Sequence, residues 1–348
     1  MQVSNRSLSR YLFFVELSYA FDVLRPIELA IKKRGGEVCW FSPKGSEAEK
    51  YLLPSDKRLT DIAQVKEYNP EAILAPGNYI PDFFPGIKVQ VFHGLDSGKK
   101  NRIVNRGLFD IYCTLGPQAT AGFKLISDES CEIIETGWSK LDRLFTEQPK
   151  TKEFQHDKPV VFYAPTFSPS LTSTKDLFPY IEKLTKTRDW QWLIKLHPKA
   201  TQEDVEMYRN LASDKLVFIE TNDMIPLLQA ADIIVSDTSS VITEFALLEK
   251  PVVTFNNRTP KDWMINFKQA HMLEDKIEQA LQKDVTLKEK MKAYGDMIHP
   301  AKDSCSSERV LNAIEDLNHR GLAQLKPRPF NLIRRLKARK KLGYYRWT

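Results

Sequence analysis

Two histidines, a run of hydroxyls and one carboxylate carry the chemistry available to this chain. His93 and Gly94 follow the apolar run 89–92, and His197 and Pro198 follow the run 192–196. An imidazole titrates near neutrality, so either ring can take up or release a proton at ordinary pH. The stretch IIVSDTSSVITEFALLEKPVV, residues 233–253, sets Asp237, Thr238, Ser239 and Ser240 between a strand-like run and an amphipathic segment. A helix start presents unpaired N–H groups and the positive end of its dipole, and stabilises an anion there without a metal. One serine cap would account for a single hydroxyl and leave the others over. Glu244 lies four residues beyond Ser240, on the same face and one turn inside the segment. A carboxylate in that position suits vicinal sugar hydroxyls, and a nucleotide offers phosphate and ribose together. Thr166, after the run 160–164, and Lys195, two residues before His197, extend the set of phosphate-binding groups. Taken singly, each has a plainer role as a structural histidine, a turn glycine or a solvated side chain. Their joint placement at strand ends favours a site.

These residues need elements to hold them. Short β-branched or aromatic runs alternate with helical patterns, which predicts parallel βαβ units. Strands are expected at 11–16, 38–41, 72–75, 89–92, 111–114 and 132–135, and again at 160–164, 192–196, 217–220, 233–236 and 252–255. Helices are expected at 26–34, 118–126, 176–187, 202–211, 224–230, 240–248 and 273–283. The polar, proline-bounded stretch 145–159 reads as a linker. The expected architecture is α/β, with two Rossmann-like, doubly wound parallel sheets facing across a cleft. Its domains would be 1–145 on the acceptor side, 146–320 on the nucleotide side, and a basic tail at 321–348. In such sheets ligands bind beyond the carboxyl ends of the strands, where all four turns named above fall.

Composition bounds the function. With 348 residues, 42% hydrophobic and 28% charged, the chain has material for two cores of roughly 150 residues each. No apolar run reaches the ~18 residues that a bilayer span requires, and no secretory leader is evident, so the chain is expected in the cytoplasm. Cys39, Cys113, Cys131 and Cys305 are scattered, without a zinc or disulfide pattern, and neither metal nor cofactor is expected. The net charge of +6 is local: residues 321–348 hold nine cations and no acid, leaving −3 for the rest. A general nucleic-acid surface is therefore not expected, whereas a local anionic partner is.

As a set, VFHGLDSGKKNR, RGLFDIYCTLGPQAT, TGWSKLD, VVFYAPTF, LIKLHP and the stretch 233–253 resemble the CDP-glycerol glycerophosphotransferase family, across residues 89–255. The resemblance implies a GT-B fold and transfer of glycerol phosphate from CDP-glycerol to an acceptor hydroxyl, with release of CMP. It implies His93 as general base, with Gly94 and Lys99 on the acceptor side. His197 and Lys195 would hold the pyrophosphate, with Thr166, Asp237, Ser239 and Ser240 on phosphate oxygens and Glu244 on the ribose. Thr238 is the expected bystander. The family motif around Thr166 continues with an aromatic residue and an arginine, but here Phe167 is followed by Ser168. The chain is also short beside polymerising members, which favours a single addition or another polyol donor.

The tail intersperses Leu332, Ile333, Leu336, Tyr344, Tyr345 and Trp347 among its cations. That pattern suits an anionic membrane surface on the inner face of the cell membrane and an acceptor glycan carried on a lipid. A strap against the N-terminal domain would use the same residues. Two alternatives share the motifs: a GT-B glycosyltransferase or epimerase using a UDP-sugar, and a non-catalytic nucleotide-sugar or glycan-binding protein.

Overall fold

The computed structural model describes residues 9–94, 103–146, 158–221 and 223–346. The chain divides into two compact units, one drawn from 1–146 and 297–348, the other from 147–296.

In the first unit, β1 (Arg10–Phe14), β2 (Glu37–Phe41), β3 (Arg58–Leu59), β4 (Ala72–Ala75), β5 (Ile87–Val91), β6 (Ile111–Thr114) and β7 (Glu132–Glu135) build one sheet. Its order is β3-β2-β1-β4-β5-β6-β7 and every pairing is parallel. The central strands are buried on both faces, as continuous apolar runs such as Leu12, Phe13, Ile73 and Leu74 require. Helices α1 (Ala20–Lys33), α2 (Ile62–Tyr68) and α3 (Pro117–Leu125) connect them. Although Pro26 marks a helix start in the sequence, α1 begins six residues earlier and carries the proline inside. Phe21 and Leu24 continue the buried face of Ile27 and Ile31, and that burial outweighs one missing N–H donor.

The second unit repeats the scheme. Its strands are β8 (Val160–Tyr163), β9 (Gln191–Ile194), β10 (Leu216–Phe218), β11 (Ile233–Ser236), β12 (Val252–Phe255) and β13 (Ile265–Phe267), in the order β10-β9-β8-β11-β12-β13. Again every pairing is parallel. Helices α4 (Thr174–Thr187), α5 (Gln202–Arg209), α6 (Ile225–Ala230), α7 (Val241–Ala246), α8 (Leu273–Leu281) and α9 (Val285–Ile298) complete it. Strand order reverses once in each sheet, between β1 and β4 and between β8 and β11. These reversals are the switch points at which adjacent connections leave in opposite directions and open a crevice.

The expected domain of 146–320 is corrected by this division, because residues 297–320 belong to the first unit. The segment TGWSKLD makes the attachment. Both carboxylate oxygens of Asp142 accept backbone N–H groups, from Ser306 and Ser307 at 2.8 Å, and so cap α10 (Ser306–Arg320). Trp138 N donates to His299 Nε2 at 2.9 Å, and Arg309 Nε to the Thr136 carbonyl at 2.7 Å. Gly137 sits at φ +82°, and a Cβ there would meet Ser306 Oγ at 2.5 Å, so the close approach demands glycine.

The tail docks on the same unit. In α11 (Leu332–Leu342), Arg339 is buried and donates to Asp82 at 2.7 Å, while Tyr344 stacks on Phe83 with centroids 4.4 Å apart. Among the described residues no helix is long and apolar enough to cross a membrane.

His299 is fully buried, and burial pushes its pKa down to about 4. The neutral ring is the one that accepts from Trp138. Its contribution is therefore complete above the ordinary histidine pKa of about 6.5 and is lost as pH falls from there towards 4, amounting to about 3 kcal/mol. Urea unfolding measured across that window should show the decline, and His299→Gln should flatten it. An equally steep decline in the variant would assign the loss to other groups.

Candidate functional site

In the first unit, three connections meet at the carboxyl ends of β1, β4 and β5. His93 lies two residues beyond β5, and its Nδ1 is 2.9 Å from the carbonyl of Pro76, which immediately follows β4. A carbonyl only accepts, so Nδ1 carries the hydrogen and the neutral ring holds its lone pair on Nε2. The ring stacks on Tyr19, from the β1–α1 connection, with centroids 4.3 Å apart and planes at 26°. Burial and the neighbouring Glu16 raise the Tyr19 pKa, keeping it a phenol. Gln90 Nε2 donates to Gly77 O and Asn78 Oδ1, both at 3.0 Å, and holds the loop that supplies the Pro76 carbonyl. His93 is thus fixed in plane and tautomer by the two connections that flank the switch point. Gly94 is half-buried beside it, and Lys99 lies outside the described residues.

In the second unit, the switch point between β8 and β11 is occupied by Asp237, which is 0% exposed. Its Oδ1 accepts from Thr166 N at 2.9 Å and Thr238 N at 2.6 Å; its Oδ2 accepts from Ser173 N and Ser173 Oγ, both at 3.0 Å. Since Ser173 spends its hydroxyl hydrogen on Asp237, the Tyr163 hydroxyl, 2.8 Å away, is the donor to Ser173 Oγ. Burial raises the Asp237 pKa, and the three backbone N–H bonds oppose that rise. The expectation of Asp237 on a donor phosphate is therefore corrected. Its oxygens are engaged by protein groups, and it positions the loop 166–173 and the hydroxyl turn instead.

That turn is close to its expected form. Ser240 is the exposed residue preceding α7, with no side-chain cap bond; Ser239 Oγ is only within 3.5 Å of Val241 N. Thr238 Oγ1 accepts from Arg258 N at 3.4 Å, in the loop after β12. The Asn257 side chain in the same loop donates to Asp237 O at 2.5 Å. Glu244 is buried, on the first turn of α7.

His197 lies three residues beyond β9, which ends at Ile194 and not at Leu196, so alternation along a strand does not set its direction. Its Nδ1 accepts from Lys199 N at 3.1 Å, which leaves the neutral ring's hydrogen on Nε2, the reverse of His93. Burial, then Lys195 and Lys199, lower its pKa and keep it neutral. Phe167 packs on the ring at a 32° tilt, with centroids 4.3 Å apart, and Lys199 lies over the Phe167 ring at 5.5 Å. Lys195 is nearly buried.

Within the second unit, bonds through Asp237 tie Thr166 to the hydroxyl turn, and Phe167 joins Thr166 to His197. The aromatic partners Tyr19 and Phe167, the brace Ser173 and the loop Asn257–Arg258 were absent from the expected site. All but Ser173 lie within a few residues of a strand's carboxyl end, so applying the strand-end rule to every connection would have found them.

Two doubly wound parallel-sheet units, each with its reactive groups beyond the strands at a switch point, define the GT-B class of fold. The family model described as CDP-glycerol:poly(glycerophosphate) glycerophosphotransferase matches residues 123–316, more than half of the chain. The chain belongs to that family. A teichoic acid glycerol-phosphate primase of Bacillus subtilis is 28% identical over 153 residues, covering 41% of this chain and 39% of the relative. A teichoic acid poly(ribitol-phosphate) polymerase of Bacillus spizizenii is 32% identical over 123 residues, 33% of this chain and 19% of that one. The matches thus span well under half of either curated relative. Among solved structures, the wall teichoic acid polymerase TagF superposes with a TM-score of 0.65 at 15% identity, over 90% of this chain and 89% of that one. The S. aureus MnaA–UDP co-structure gives 0.61 at 16% identity, over 93% and 100%. Likenesses at such identity establish the fold only.

Replacing Asp237 by asparagine keeps its shape but puts an NH2 group against N–H donors. Mispairing of buried polar groups of this kind costs about 1–3 kcal/mol each. Asp237→Asn should therefore lower the unfolding free energy by roughly 3 kcal/mol, read from chemical denaturation; unchanged stability would show that the carboxylate does not hold these loops.

Proposed function

We propose that this chain transfers glycerol phosphate, or a related polyol phosphate, from a CDP-polyol such as CDP-glycerol to a hydroxyl of a lipid-linked glycan, releasing CMP. The reading rests on family membership, and one observation carries it: the two strand-end histidines are held in opposite tautomers. His93 presents an imine nitrogen, the form a general base needs, and His197 presents a neutral N–H, the form that donates to a phosphate oxygen. In the reaction, the acceptor hydroxyl gives its proton to His93 Nε2 and its oxygen attacks the β-phosphorus. The bond from that phosphorus to the bridging oxygen breaks, and CMP leaves with the electron pair. His197, Lys195, Ser239, Ser240 and Thr166 hold the diphosphate, and Glu244 holds the ribose. The product would be a teichoic-acid-like or capsular polymer unit.

We assign the membrane partner to α11. While Arg339 and Tyr344 hold this helix on the first unit, Ile333 is 70% and Phe330 59% exposed, and Leu332, Leu336, Arg334, Lys337 and Lys340 are exposed with them. Apolar side chains beside cations match the headgroup boundary of an anionic bilayer, where each basic residue contributes about 1 kcal/mol. On this reading the enzyme works at the inner face of the cell membrane, beside a lipid-carried acceptor.

A donor screen tests the chemistry. With CDP-glycerol, CDP-ribitol and UDP-sugars supplied alongside a lipid-linked acceptor, CMP release is expected; UDP release without CMP would replace this reading with a UDP-sugar enzyme. His93→Ala should retain donor affinity and lose turnover by about 10²–10⁴-fold, whereas lost affinity with normal residual chemistry would move the base elsewhere. Flotation with phosphatidylglycerol vesicles tests the surface. The full chain should float, and Ile333→Glu with Leu336→Glu should remain at the bottom; equal partitioning would end the membrane assignment.

A further inference from the structure

A diphosphate bound at the turn after β11 meets an unfavourable field. The buried Asp237 carboxylate lies directly behind that turn, held by Thr166 N, Thr238 N and Ser173. The neighbouring His197 is kept neutral by burial and by two lysines, and donates a hydrogen bond without a charge. Lys195 is nearly buried, and Lys199 rests over the Phe167 ring at 5.5 Å. Ser168 stands where the resembled motif carries arginine. A doubly charged ligand at this turn needs a mobile, solvent-reaching cation close by.

The loop after β12 supplies one. Its backbone is pinned to the hydroxyl turn at two points, by Arg258 N donating to Thr238 Oγ1 at 3.4 Å and Asn257 Nδ2 donating to Asp237 O at 2.5 Å. The Arg258 side chain is exposed, and it has no hydrogen-bond or ion-pair partner among the described residues. We propose that Arg258 is the diphosphate clamp of the donor site: its guanidinium reaches the donor's phosphate oxygens and supplies the positive charge that the neutral His197 and Ser168 do not. A planar fork of N–H donors fits a phosphate bidentately, which an ammonium cannot do. Thr238 then has a role of its own, holding the Arg258 backbone against the turn.

The proposal rests on the CDP-polyol reading, and calorimetry on the full chain separates the two. Wild-type protein, Arg258→Ala and Arg258→Lys would be titrated with CDP-glycerol and with cytidine, which has the base and ribose but no phosphate. Arg258→Ala should bind CDP-glycerol at least 10-fold more weakly, with Arg258→Lys in between and cytidine affinity unchanged in all three. Because the exposed side chain makes no hydrogen bond or ion pair among the described residues, thermal unfolding should be unaltered. If Arg258→Ala binds CDP-glycerol as tightly as wild type, the clamp is overturned and the donor reading stands. If Arg258→Ala loses cytidine and CDP-glycerol affinity equally, the residue shapes the loop and is not a phosphate ligand. If wild type fails to bind CDP-glycerol, the donor reading itself falls and the clamp with it.

Discussion

One buried carboxylate organises the second unit. Asp237 sits where the strand order of the sheet reverses, with backbone groups from three segments converging on it: the loop after β8, the start of the 173–187 region and its own turn. Its main-chain carbonyl is in turn held by Asn257, after β12. A buried charge is tolerable only when hydrogen bonds replace its hydration. Asp237 meets that condition with four bonds, and satisfying them fixes loops that no strand pairing would fix. The positions of Thr166, Phe167, Ser239 and Arg258 all follow from this constraint.

The first unit solves a similar problem without a charge. At its switch point the Pro76 carbonyl and the Tyr19 ring hold one imidazole by a hydrogen bond and a stack. Across the chain, His93 and His197 have the same kind of aromatic support but opposite hydrogen-bond partners, a carbonyl for one and an amide N–H for the other. That difference sets which nitrogen of each ring carries the proton. Two residues of one type, each just past a strand, are in this way prepared for different chemistry.

The returning segment shows a motif serving architecture. TGWSKLD contributes to the family resemblance, yet Thr136 O, Trp138 N and Asp142 are spent on caps and bonds to residues 299–309. The Asp142 carboxylate and His299 Nε2 are buried acceptors bonded across more than 150 positions of sequence, and they attach α10 to a sheet completed long before it. The basic tail behaves likewise on one side. Burial of Arg339 against Asp82 and of Ala338 holds α11 down, while Leu332, Ile333, Leu336 and Lys337 stay exposed.

Much of this was legible in the sequence. Eleven strands fell where short apolar runs predict them, because parallel strands buried on both faces must be continuously apolar, and the candidate residues fell at their carboxyl ends because such sheets bind there. The two-residue β3, the peripheral β13 and the helices α2, α9, α10 and α11 lie outside the expected ranges. The order of the strands was invisible too. It depends on crossover packing, and it alone makes Tyr19 and Pro76 neighbours of His93, and Thr166 a neighbour of Asp237. The sequence by itself determined which residue types stand at strand ends, since apolar periodicity is local. Only the tertiary structure decided that Asp237 is a brace and not a ligand, that the two histidines hold opposite tautomers, and that residues 297–346 join the first unit. Those outcomes depend on hydrogen bonds between residues far apart in the chain, and no local pattern encodes them.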